Sequence, residues 1–214
     1  MTKKVTIVDY GIGNLRSVKQ AFEHCGAEIE FVNSPNGIRR ASYLVLPGVG
    51  AFADGMAGLK QRELIDPIKE YASGQKPFIG ICLGMQMMLD YSEEFGVHQG
   101  LGLIRGKVIA VPRMAADGTF HKIPHIGWNE LALPKLRQSW DGTILDGIQP
   151  GLAMYFVHSY MAVPDDPNHL LAVCDYGGHG IAAAIQKCSV YGTQFHPEKS
   201  AENGLAILRN FLKC

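Results

Sequence analysis

Among five cysteines in a chain of 214 residues, Cys82 stands where a thiol could serve as a nucleophile. It is the centre of Gly80-Ile81-Cys82-Leu83-Gly84, after the apolar run Pro77–Ile81 and before a helix expected over Leu83–Tyr91. A residue in so sharp a strand-to-helix turn takes strained dihedrals, and the chain crowds itself on both sides. Glycine two before and two after removes the Cβ atoms that would collide. The thiol is then raised at the carboxyl edge of a sheet, beside the free N–H groups of a helix start, which favour thiolate. The Leu83 backbone N–H would face an oxyanion formed on an attacked carbonyl. The competing reading, a small buried hydrophobe, is the one that Cys25, Cys174, Cys188 and Cys214 receive. Their odd count and the lack of C-x-x-C spacing indicate neither a disulfide framework nor a zinc knuckle.

A thiol nucleophile needs a base. Gln194-Phe195-His196-Pro197-Glu198 closes the last expected strand, so His196 emerges at the same sheet edge as Cys82. Pro197 restricts His196 to an extended conformation. Glu198 can reach back to one imidazole nitrogen, fixing its tautomer and supporting the imidazolium. Cysteine, histidine and carboxylate in these roles make a triad. His-x-Glu alone reads as an incidental pair, and so do the other histidines, including His121, His125, His169 and His179.

The elements around these residues alternate. Val5–Val8, Ile29–Val32, Tyr43–Leu46 and Pro77–Ile81 read as short strands. Between them, Leu15, Val18, Phe22 and Cys25 keep a helical period over Asn14–Ala27, with Asn14 as N-cap and Gly26 as stop. Asp66-Pro67 reads as the cap and first turn of another helix, to Ala72. Strands separated by helices imply βαβ units and a parallel sheet. The second half is richer in strands: Lys107–Val111, Ile126–Leu131, Met154–Val157, Leu170–Asp175, Ile181–Gln186 and Val190–Phe195. Gly177-Gly178-His179-Gly180 reads as a hairpin turn. A final helix over Ala201–Leu212, capped by Ser200, buries Leu205, Leu208, Phe211 and Leu212. Residues 1–214 are expected to form one domain. Arg113–Lys122 and Leu136–Gly147 fit no pattern.

Composition excludes several classes. Lys plus Arg equals Asp plus Glu at 20 each, so no net field draws the chain to nucleic acid or an anionic membrane. No run approaches the roughly 18 apolar residues of a membrane helix, and none at the start suits a secretory signal. The expectation is a cytoplasmic protein without membrane or nucleic-acid partners. Gly11-Ile12-Gly13 has Arg16 where a dinucleotide fingerprint needs glycine. Pro47-Gly48-Val49-Gly50 lacks the lysine of a phosphate loop. It is either a plain turn or the source of a second oxyanion donor.

Gly80–Gln86 and Gln194–Ser200 resemble the motifs of the class I (triad) glutamine amidotransferases. Val8–Leu15, Pro124–Asn129 and Tyr155–Tyr160 are similar to the branch that serves imidazole glycerol phosphate synthase, and the likeness spans essentially the whole chain. The resemblance implies a flavodoxin-like three-layer α/β sandwich with a mostly parallel central sheet. It implies attack by Cys82 on the side-chain amide of L-glutamine, with His196 as base and then acid. Ammonia would be released, and water would hydrolyse the glutamyl thioester to glutamate. The Val49 amide would be the second oxyanion donor beside Leu83. Gly50, Gln86, His158, Ser159 and Tyr160 would hold the substrate. The partner in a heterodimer would be a (β/α)₈-barrel cyclase of histidine biosynthesis, met by Asn14, Trp128, Tyr155 and Lys199. No metal or organic cofactor is implied. The same triad in another amidotransferase pathway, or a non-catalytic module with Cys82 as a redox sensor, remain the alternatives.

Overall fold

The computed structural model describes residues 2–214; Met1 lies outside the described residues. The first half runs β1 (Lys4–Val8), α1 (Leu15–His24), β2 (Glu28–Val32), α2 (Pro35–Arg40), β3 (Tyr43–Gly48), α3 (Phe52–Gln61), α4 (Ile65–Ala72), β4 (Phe78–Cys82) and α5 (Leu83–Gln86). Then come β5 (Tyr91–Ser92), β6 (His98–Gln99), β7 (Gly106–Ala110), β8 (His125–Glu130), β9 (Ala153–His158) and β10 (Tyr160–Pro164). The chain closes with β11 (Leu170–Tyr176), β12 (His179–Lys187), β13 (Val190–Thr193) and α6 (Ala201–Phe211).

Seven strands form the central sheet in the order β11-β12-β13-β4-β3-β1-β2. The five from β13 to β2 are parallel, and β12 and β11 return antiparallel at one edge. Alternation along the strands divides the core. Val5, Ile7, Val45, Ile79 and Ile81 face α1 and α6, where Val18, Phe22, Leu208 and Phe211 cover them. Phe22 and Tyr43 meet the Phe211 ring edge-on at 6.0 and 5.7 Å. Val8, Leu44, Leu46 and Phe78 face the other way, under Ile38, Phe52, Leu59 and Ile68. Two apolar helix layers on a sheet buried on both faces give the expected three-layer sandwich. β10, β7, β5 and β6 form a second, four-stranded sheet, and β8 pairs with β9 alone.

The structure departs from the sequence reading where tertiary bonding overrides local pattern. The helix after Cys82 is one turn, not nine residues. The Met87, Met88 and Leu89 carbonyls accept instead from Leu101, Leu103 and Gly102, so the chain peels away to pack. β3 runs through Pro47 and Gly48, so the turn begins at Val49. α4 starts at Ile65, which places Asp66 inside its first turn rather than at the cap. Ser200 holds the cap position of α6, but its hydroxyl caps nothing and bonds elsewhere. Leu205 is only partly buried. α2, α3, β5, β6 and β10 were not legible. The Gly177-Gly178 turn, at φ +63° and +79°, joins β11 to β12 as a two-residue hairpin, as its glycines require. Leu136–Gly147 folds in to bury Trp140, Ile144 and Leu145, and the Trp140 indole donates to the Leu171 carbonyl at 2.7 Å.

Candidate active site

Cys82 ends β4 with φ +55° and ψ −110°, a conformation non-glycine residues rarely hold. The flanking glycines permit it. A Cβ on Gly84 would stand 1.8 Å from the Leu46 carbonyl oxygen, and one on Gly80 would meet the Gly84 backbone at 2.6 Å. A one-turn helix sums few peptide dipoles, so the macrodipole contributes less here than the sequence suggested. Local groups act instead. The Leu83 amide begins α5 and has no intrahelical acceptor. The Gln194 side-chain amide donates to the Cys82 sulfur at 3.7 Å, and that sulfur lies 3.8 Å from the Val157 carbonyl.

His196 follows β13 through Gln194 and Phe195. Its backbone N–H donates to the Tyr155 carbonyl at 2.9 Å. The Ser200 hydroxyl donates to the His196 carbonyl at 2.7 Å and accepts the Tyr155 amide at 3.0 Å, clamping the histidine turn to β9. His196 Nδ1 lies 2.8 Å from Glu198 Oε1, and both side chains are almost wholly buried. The carboxylate therefore fixes the proton on Nδ1. His196 Nε2 is buried without a nitrogen or oxygen partner. Burial alone would lower the pKa of this ring, but the Cys82 sulfur and the Glu198 carboxylate outweigh it and raise it to about 10.

Cys82 and His196 line one cavity of about 320 Å³ with Val49, Gly50, Leu83, Gln86, His158, Ser159 and Tyr160. Every residue assigned from the sequence to the nucleophile, its oxyanion donors and its substrate thus borders the same space, with Glu198 behind His196. Larger grooves of about 850 and 800 Å³ lie elsewhere, bordered by none of the triad. Gln86 Nε2 donates to the Tyr160 carbonyl and to Gln194 Oε1, each at 2.9 Å, which leaves its carbonyl oxygen for a ligand. His158 and His125 are both pushed down to about 4, first by burial.

Sequence reasoning missed four contributors. Glu94 borders the cavity and accepts the Phe52 amide at 2.7 Å. Gln194 stands in the histidine motif, but only its contacts with Cys82 and Gln86 give it a role. Tyr10 donates to the Pro47 carbonyl at 2.8 Å, and its hydroxyl leaves Gly48 no room for a Cβ. Ser200 read only as a cap. None carries a local signal, because each makes a contact across a long sequence separation. Among the described residues, no three His, Cys, Asp or Glu side chains gather as a metal site would require.

Four residues are expected at a partner surface. Trp128 is 55% exposed, and its ring meets Tyr155 edge-on at 6.1 Å, while Lys199 Nζ sits 5.8 Å from the centre of the Tyr155 ring. Asn14 is the N-cap of α1, as expected, accepting the Ser17 amide at 3.4 Å.

Residues 6–214 match the family model for glutamine amidotransferase class-I. Imidazole glycerol phosphate synthase subunit HisH 1 of Legionella pneumophila (strain Lens) is 54% identical over 209 residues, 98% of each chain. Subunit HisH of Syntrophotalea carbinolica is 44% identical over 208 residues, 97% of this chain and 98% of that one. Among solved structures, PurLQS from Thermotoga maritima superposes with a TM-score of 0.72 at 18% identity, covering 100% of this chain and 99% of the other, which speaks for the fold alone. The chain belongs to the class-I glutamine amidotransferases, among relatives named as the HisH subunit of imidazole glycerol phosphate synthase.

Proposed function

We propose that Cys82, His196 and Glu198 carry the glutamine hydrolysis of this amidotransferase, within one catalytic domain over residues 1–214. The chain releases ammonia from glutamine for the synthase of histidine biosynthesis. The observation that most supports the assignment is the buried His196–Glu198 pair at 2.8 Å beside a strained cysteine in the same cavity.

The Cys82 thiol gives its proton to His196 Nε2, and the sulfur attacks the side-chain amide carbon of glutamine. The carbonyl electrons move onto oxygen, held by the Leu83 and Val49 amides. His196 gives its Nε2 proton to the amide nitrogen, the C–N bond breaks and ammonia departs, leaving a glutamyl thioester. Neutral His196 then takes a proton from water, the hydroxyl adds to the thioester, and collapse expels the thiolate with glutamate. Gln86, His158, Gly50 and the backbone at Ser159 and Tyr160 hold the substrate. Glu94 offers its α-ammonium a carboxylate.

The partner is a (β/α)₈-barrel cyclase docked over Trp128, Tyr155 and Lys199, with Asn14 at the margin; neither nucleic acid nor membrane is engaged, and the complex is cytoplasmic. Ile126 and Trp128, both exposed on β8, supply an apolar centre for that contact. Trp128→Ala should weaken the complex by about 2 kcal/mol or more in a calorimetric titration; unchanged affinity would move the interface elsewhere.

Cys82→Ala tests the catalytic assignment. Glutamine-dependent turnover of the complex should vanish while synthesis from added ammonium salts persists. Glutaminase activity surviving in that variant would remove Cys82 from the chemistry.

A further inference from the structure

A chain of directed hydrogen bonds outside the triad runs from the antiparallel edge of the central sheet to the cavity. It begins at Asn129, whose amide cannot flip. Its Oδ1 accepts the Glu130 backbone N–H at 2.8 Å, and its Nδ2 donates to the Asp175 carbonyl at 2.6 Å. The second Nδ2 proton points at His125 Nε2, 3.3 Å away. That nitrogen must accept, so the His125 proton sits on Nδ1. His125 Nδ1 lies 3.0 Å from His158 Nε2. His158 Nε2 must accept in turn, which places its proton on Nδ1, 2.9 Å from the Tyr160 carbonyl. The directions agree at every link.

The His125 ring is also held by stacking. His125 stacks between Phe156, at 5.0 Å, and Tyr176, at 4.0 Å. This stacking holds the His125 ring in the orientation that its hydrogen bonds require. Protonating either one would set two donors against each other, in keeping with their lowered basicity.

The end of the chain matters to the cavity. The Tyr160 carbonyl receives both His158 Nδ1–H and Gln86 Nε2–H. The same Gln86 nitrogen donates to Gln194 Oε1, and Gln194 Nε2 donates to the Cys82 sulfur. We infer that Asn129 and His125 are positioning residues, which act through His158 to orient the Tyr160 carbonyl and with it the Gln86 amide that meets the substrate. The inference rests on the cavity being the glutamine pocket.

Two measurements separate this from a merely structural role. The first is nitrogen-15 NMR of histidine-labelled protein in the complex. His125 and His158 should both be neutral and protonated on Nδ1, the tautomer that a free imidazole favours less. Asn129→Leu should leave both tautomers in place, because the Tyr160 carbonyl still requires the His158 Nδ1 proton, but should shift the His125 Nε2 resonance by several ppm as that nitrogen loses its donor. Nε2-protonated rings in the wild-type protein, or an unshifted His125 Nε2 signal in the variant, would overturn the chain. The second is steady-state kinetics of glutamine hydrolysis in the complex. Loss of one orienting hydrogen bond should raise KM for glutamine about tenfold in Asn129→Leu, with kcat changed much less. Asn129→Gln, which keeps the amide, should recover part of the loss. A fall in kcat alone with KM unchanged would mark lost active protein and refute the positioning role. The NMR result does not depend on what fills the cavity, so failure of the functional assignment would leave it standing.

Discussion

Gly48 and Cys82 face each other in register at the carboxyl ends of the adjacent parallel strands β3 and β4. This one pairing brings Val49 beside the nucleophile and sets two backbone segments around one point, the start of α5 and the turn after β3. Gly48 has no space for a side chain between Tyr10, Leu83 and the Gly84 amide. Sheet register, rather than loop sequence, assembles the candidate oxyanion site.

Gly84→Ala should be among the most damaging small substitutions in the chain. Its Cβ would fall 1.8 Å from the Leu46 carbonyl, and that oxygen belongs to a central strand that cannot yield. A loss of at least about 3 kcal/mol is expected in denaturant unfolding. Wild-type stability would mean that the elbow is looser than described.

Glu198→Gln keeps the shape but loses the charge that supports the His196 imidazolium at 2.8 Å. Turnover should fall roughly 10²-fold with KM for glutamine little changed, since the carboxylate does not border the cavity. Equal kcat in the two proteins would reduce the triad to a dyad.

Stability should depend on pH with opposite signs on the two sides of neutrality. His125 and His158, lowered from 6.5 to about 4, stay neutral in the fold while the unfolded chain binds their protons. Their contribution is complete above about 6.5 and is lost as pH falls toward 4. His196, raised to about 10, behaves oppositely: its contribution is complete below about 6.5 and is lost as pH rises toward 10. Urea midpoints across pH should therefore fall on both sides of 6.5. Replacing His158 by Gln should flatten the acid limb, and an unaltered limb would contradict the neutral pair.

The motifs were legible because their meaning is local. Gly80 and Gly84 flank Cys82 for a steric reason that any strand-to-helix turn imposes, and Glu198 lies within reach of His196 along two residues of chain. The apolar runs of β1, β3 and β4 likewise follow from burial on both faces. The length of α5 was not legible, because carbonyls that a helix would use are claimed by residues 101–104. Asn129, Gln194 and Ser200 were invisible as a group for the same kind of reason. Each is an ordinary polar residue until folding brings β8, β9, β11 and the His196 turn together. Asp66 illustrates the smaller error, a real helix start read two residues late.

On the proposed function, Cys82 alone of the five cysteines is held for attack on a glutamine side chain. Cys174 is buried with its thiol pushed up to about 12, first by burial, and Cys25 is raised by partial burial, whereas Cys188 and Cys214 are exposed to any reagent. The complex should be treated with a glutamine analogue carrying an electrophilic carbon in place of the amide, and the modified peptide identified by mass spectrometry. A single adduct on Cys82, blocked by added glutamine, is the predicted result. Adducts spread over Cys188 and Cys214 with Cys82 untouched would contradict it.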